Sequence, residues 1–124
     1  MWPYRRFLAW KVAHLFALEI YRITDDWPAN ERYEITRQIR RAALSAPTNI
    51  AEGAAKRGSR EFRRFLDIAL GSLAEASYLL EFAHERGLIT RQQWEELEQL
   101  RNRAGQLTWR LYESVSQQKI DPLT

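Results

Sequence analysis

Gly53 and Gly58 are spaced in "EGAAKRGSR" as the two glycines of a phosphate-cradling loop are. Such a loop holds phosphate on bare backbone N–H groups, follows a strand, and continues into Lys and then Ser or Thr. Here Ser59 and Arg60 follow and no strand pattern precedes, so this chemistry is rejected. "EFAH", Glu81 to His84, has the carboxylate–x–x–imidazole spacing of half a di-iron site in a helical bundle. The only other histidine, His14, has Lys11 three positions before it, so the second half is missing and no metal or other cofactor is expected. A helical ribonuclease site on His84 wants an arginine a few residues earlier, and the ten preceding residues hold none. His84 also falls near a helix C-terminus, where a cation is favoured in any case. No catalytic group is assigned, and the protein is read as not an enzyme.

The arginines are more informative. Net charge is only +3, yet Arg37, Arg40, Arg41, Lys56, Arg57, Arg60, Arg63 and Arg64 fall in one segment against Glu52 and Glu61. Guanidinium groups grip phosphate through paired N–H bonds, and an aromatic between them can stack on a base. Tyr33, Arg37, Arg40, Arg41 and Leu44 share one helix face, and Arg60, Arg63 and Arg64 share the outer side of the next helix's first turns. This basic middle is the candidate nucleic-acid surface. The competing reading is an ordinary solvated charged face.

The elements that position these residues are helical. With 124 residues, 45% hydrophobic, five Gly and four Pro, the chain fits one all-α domain spanning 1–124. Cys is absent, so there is neither a disulfide framework nor a thiolate site. The N-terminal apolar run is broken by Lys11, His14 and Glu19, which argues against a signal peptide or a membrane span; a soluble, cytoplasmic protein is expected. Four helices are predicted at about 6–24, 29–57, 60–86 and 91–118, forming an up-down antiparallel four-helix bundle. Ala9, Ala13, Phe16, Ile20 and Ile23 make the first core stripe. Phe7, Leu8, Leu15 and Leu18 project among polar residues of that helix, and Tyr78 and Phe82 lie opposite the third helix's core stripe. Phe7, Leu15, Leu18, Tyr78 and Phe82 are therefore candidate oligomer contacts.

In "SAPTNIAEG" the stripe Ile35, Ile39, Ala42, Ala46, Ile50, Ala54 passes Pro47 without losing phase. One helix bent at Pro47 is predicted, because the ring removes an N–H and crowds the Ala43 carbonyl. Gly58 is expected as its C′ residue, with Ser59 as the next N-cap; Thr90 and Gln93 read as a capping box. Ser45, Asn49 and Glu52 form a polar strip beside the stripe. Ser45 is expected to bond a freed carbonyl, and Asn49 and Glu52 to tie helices or subunits. The tail "KIDPLT" is expected to fray.

From Ile35 to Leu80 the sequence reads "ITRQIRRAALSAPTNIAEGAAKRGSREFRRFLDIALGSLAEASYLL", with Trp10, Ala13, Ile20, Tyr21, Thr24 and Trp27-Pro28 upstream. Over roughly Leu8 to Leu111 this resembles the bacterial four-helix-bundle family named after ribosomal RNA intervening sequences. Ala46 replaces the usual Val or Ile before the proline, and Trp27 the usual Phe. The resemblance extends to accessory proteins of diversity-generating retroelements, which are pentameric barrels with a basic surface that bind a reverse transcriptase and nucleic acid. It implies a homopentamer, a non-enzymatic RNA- or DNA-binding accessory role and a reverse transcriptase partner. A structural or protein-adaptor oligomer without nucleic acid is the alternative.

Overall fold

The computed structural model describes residues 2–124, with the side chains of residues 31–33 outside that description. A 3-10 turn, Pro3–Arg6, leads into α1, Leu8–Thr24. A 3-10 turn at Ala29–Glu31 and a π-helical turn at Arg32–Thr36 precede α2, Arg37–Ala54. Then follow α3, Ser59–Glu85, and α4, Arg91–Ser116. Each helix packs on two neighbours, α1 and α3 both lying against α2 and α4, so α1 faces α3 diagonally across the core. With short α2–α3 and α3–α4 connections, this is an antiparallel four-helix bundle.

The predicted stripes form the core. Phe16, Ile20, Ile39, Ile50, Leu66, Leu73, Leu80 and Leu111 are fully buried, each worth about 1.5–3 kcal/mol by transfer from water. Phe7 belongs with them. It is 1% exposed, with its ring 5.8 Å from that of Phe62, so it is core rather than an outward-facing contact. The reason is that α1 begins at Leu8, after a turn, so Phe7 does not follow the helical projection assumed for it.

α2 runs unbroken through Pro47, which is itself buried. Just after it, side chains bond back along the helix: Thr48 Oγ1 donates to the Leu44 carbonyl and Asn49 Nδ2 to the Ser45 carbonyl, both at 2.8 Å. Gly53 sits where α2 and α3 approach closely. A Cβ there would lie 2.8 Å from Phe65 Cβ and 3.0 Å from Phe62 Cδ1.

The helix ends differ in detail from expectation. α2 stops at Ala54, and Gly58, at φ +84°, is the N-cap of α3, while Ser59 is already helical and makes no cap bond. Gly58 therefore shapes the entry to α3 instead of closing α2. Where α3 ends, Leu88 N–H bonds Ala83 O and Gly87 N–H bonds His84 O, with Gly87 at φ +78°: a Schellman motif. The Thr90–Gln93 capping box forms in both directions. Pro28 precedes, and Asn30 lies within, a 3-10 turn rather than a regular α-helix.

The tail does not fray. Asp121 to Thr124 make a turn, with Thr124 N–H bonding Asp121 O and Leu123 N–H bonding Asp121 Oδ1. The carbonyls of Pro122 and Thr124 then accept from the N–H groups of Leu8 and Ala9. α1 has no side-chain N-cap, so the tail satisfies donors that are otherwise orphaned.

Candidate nucleic-acid interface

The bundle has two ends. One gathers the end of α1 and the start of α2, where Arg40 meets Thr24. The other gathers the start of α1, the α2–α3 turn, the start of α3 and the tail, as the Phe7–Phe62 and Leu8–Pro122 contacts require. Arg41 and Ala54 are about 20 Å apart along α2 at a rise of about 1.5 Å per residue. The basic segment thus divides into two patches at opposite ends and is not one surface across adjacent helix ends.

At the α1–α2 end, Arg37 and Arg41 are exposed and line a shallow groove with Tyr21, Thr36, Arg40 and Leu44. Arg40 is differently employed. Its Nε donates to Thr24 Oγ1 at 2.7 Å, and its second nitrogen donates to Tyr21 O at 3.1 Å and Asp25 Oδ1 at 2.8 Å. The guanidinium also lies 4.7 Å over the Tyr21 ring. These bonds satisfy the carbonyl end of α1, and they leave Arg40 little freedom to take a phosphate. Tyr33, expected between these arginines, has its side chain outside the described residues.

At the other end the cations are denser. Lys56, Arg57, Arg60 and Arg64 are exposed and Arg63 half-buried, with exposed Arg5 and Arg6 contributed by the turn before α1. Lys56 lies 5.5 Å and Arg64 4.6 Å from the ring centre of Phe65, so that ring braces both side chains. Arg64 pairs with Glu61 at 3.3 Å, and Arg63 Nε bonds Ser59 O at 3.4 Å. Arg57 and Arg60 extend into solvent. The start of α3 has no side-chain cap, so its first N–H groups add positive potential at the same place.

A groove of about 610 Å³ runs from these residues towards α4, lined by Arg60, Glu61, Arg63, Arg64, Asp67 and Tyr112. Tyr112 stacks on Trp109, an aromatic pair that the sequence reading did not single out. The only signal was that Trp109 lies off the core stripe of α4.

Of the apolar positions read as contacts, Leu15 and Leu18 are each 52% exposed on α1, Tyr78 is 61% and Phe82 38% exposed on α3. The strip in α2 is part of a seam. Ser72 Oγ donates to Ser45 Oγ at 2.8 Å, joining α3 to α2, and Asn49 Nδ2 donates to the same oxygen at 2.9 Å. Ser45 thus acts mainly as an acceptor, braced by Asn49, while Glu52 is exposed. His84 is stacked on Trp94 at 4.5 Å and His14 on Trp10 at 5.0 Å. Among the described residues no three His, Cys, Asp or Glu side chains are grouped to hold a metal ion, and no helix is long and apolar enough to cross a membrane. On α1, hydrogen bonds from Arg22 lower the Glu19 carboxyl, and Glu19 in turn raises Arg22.

The fold is an all-α four-helix bundle that carries exposed charged and aromatic side chains. The model of the 23S rRNA-intervening sequence protein family matches residues 5–110, and the chain belongs to that family. A crystal structure from Bacteroides thetaiotaomicron, described as a protein of unknown function from the S23 ribosomal protein family, superposes with a TM-score of 0.77 at 24% identity. The match covers 86% of this chain and 99% of that one, and it concerns the fold. No match is found among curated proteins.

Proposed function

We propose that this protein is a non-enzymatic, self-associating accessory factor that binds the phosphate backbone of RNA at the bundle end built by the α2–α3 turn. The observation that carries this reading is the gathering of Lys56, Arg57, Arg60, Arg63 and Arg64 at the uncapped start of α3. Phosphate binding of this kind is electrostatic, weakly sequence-dependent and steeply dependent on salt. Arg37 and Arg41 make a second, smaller patch for a long strand. An RNA-binding role also suits a family named for ribosomal RNA intervening sequences. A reverse transcriptase partner, and assembly as a pentamer, follow from the likeness to retroelement accessory proteins alone.

Self-association is supported by Leu15 and Leu18 on α1 and Tyr78 and Phe82 on α3. α1 and α3 are diagonal in the bundle, so these faces point in different directions. A contact between unlike faces repeats from copy to copy and closes into a ring when the rotation permits. The same faces favour the second reading, an adaptor oligomer indifferent to nucleic acid. Light scattering with and without RNA separates the two. An oligomer that gains mass with RNA at low salt and releases it at high salt supports the first reading; one whose mass ignores RNA supports the second.

A further inference from the structure

α4 carries an aromatic pair, exposed Trp109 and half-buried Tyr112, beside the arginines at the start of α3. Trp109 is 51% exposed, yet its ring lies parallel to that of Tyr112, with planes 8° apart and centroids 5.5 Å apart. Tyr112 lines the groove that holds Arg60, Arg63 and Arg64. The buried side of α4 is made by Leu97, Ala104, Leu107, Thr108, Leu111 and Val115, so core packing does not account for Trp109. Tyr112 covers one face of the indole, and the exposure leaves a flat apolar surface towards water.

Two features bear on what fits there. Ser77 Oγ donates to Glu98 Oε1 at 2.6 Å, and this register places Gly71 of α3 and Gly105 of α4 at a similar level, about one turn beyond Trp109. Glycine is a poor helix former, but a Cβ at Gly71 would meet nothing within 4 Å and one at Gly105 only Arg101 Nη1 at 3.8 Å. The surface beside the indole thus carries no side chain at these two positions. Asp67 also lines the groove, and Glu61 is engaged by Arg64. A carboxylate repels phosphate but accepts from a base amine or a ribose hydroxyl. The cations are therefore placed for phosphates, while Asp67 and the indole are placed for the base side of a strand.

From this geometry we infer that the α3–α4 groove binds single-stranded RNA, with an unpaired base stacked on Trp109 and its neighbouring phosphates held by Arg60 and Arg63. This rests on the reading that the start of α3 binds RNA, and it adds that the strand is unpaired. Aromatic stacking needs a free base face, which a duplex keeps inside its stack.

The test is fluorescence anisotropy with a labelled 12-nucleotide RNA, single-stranded or annealed to its complement, on wild type, Trp109→Ala and Trp109→Phe. The groove predicts tighter binding of the single strand. It also predicts a loss of roughly fivefold or more for that strand in Trp109→Ala, recovery in Trp109→Phe and little change for duplex. RNA binding by wild type with equal affinity for both forms, or with no effect of Trp109→Ala, overturns the stacking site but leaves phosphate binding standing. A Trp109→Ala protein of altered oligomeric mass with unchanged RNA affinity also overturns it, assigning the indole to a protein contact. Absence of binding to either RNA at low salt defeats both readings.

Discussion

Arg40 Nε donates to Thr24 Oγ1 at 2.7 Å, joining α2 to the last turn of α1 across sixteen residues of sequence. Thr24 is fully buried, and its hydroxyl passes the interaction on by donating to Ile20 O at 2.7 Å. Replacing Arg40 by Ala should remove charge-assisted bonds to Thr24 and Tyr21, costing about 2 kcal/mol. The exposed partner Asp25 adds little. Thermal unfolding should report a fall of roughly 6–10 °C, with Arg40→Lys only partly restored because it cannot make the fork. Charge reversal at Arg40 therefore examines folding before it examines RNA binding.

Gly53 and Gly71 should respond in opposite directions to alanine. At Gly53 the added methyl meets Phe65 and Phe62, and the crowding should destabilise by about 1–3 kcal/mol. At Gly71 it meets nothing, and helix propensity alone should stabilise by up to about 1 kcal/mol. Denaturant midpoints of the two variants measure both signs.

α4 closes on Gln118 at φ +57°, where a Schellman motif is made by Lys119 N–H to Ser114 O and Gln118 N–H to Val115 O. Gln118→Gly should keep these bonds and relieve the left-handed strain, raising stability by roughly 0.5–1 kcal/mol. Deleting residues 120–124 should act the other way. It exposes the amides of Leu8 and Ala9, which hydrogen exchange will find faster, at a cost of about 1 kcal/mol.

Glu19 provides a modest dependence on acid. Arg22 donates to both carboxylate oxygens, which lowers the carboxyl below its ordinary value. Its contribution is present above the unfolded carboxylate pKa and is lost as pH falls through the lowered folded value. Both groups are well exposed, so the effect is small and screened by salt. The difference in Tm between wild type and Glu19→Gln should shrink between pH 6 and pH 3 at low salt.

The core could be read from the sequence because it depends on periodicity. Ile39, Ala42, Ala46 and Ile50 keep helical phase across Pro47, and all are buried. Contacts that join distant segments left no such trace. Arg40 looks like any other surface arginine until Thr24 arrives from the preceding helix. The tail binds α1 through backbone carbonyls, which no residue type announces. Gly58 takes the N-cap place expected of Ser59 because a positive φ four residues past α2 cannot be counted from composition. Trp109 is silent in the sequence for a related reason: an off-stripe aromatic gains meaning only when α3 brings arginines beside its neighbour Tyr112.

Phosphate binding at the start of α3 is read out most directly by RNA affinity as a function of salt for wild type and Arg57→Gln/Arg60→Gln. Both arginines are exposed, so the double variant should fold normally. The double variant should bind more weakly across the physiological salt range, with a log–log slope shallower by about 1.4 for a single strand. An affinity and slope equal to those of wild type would contradict it.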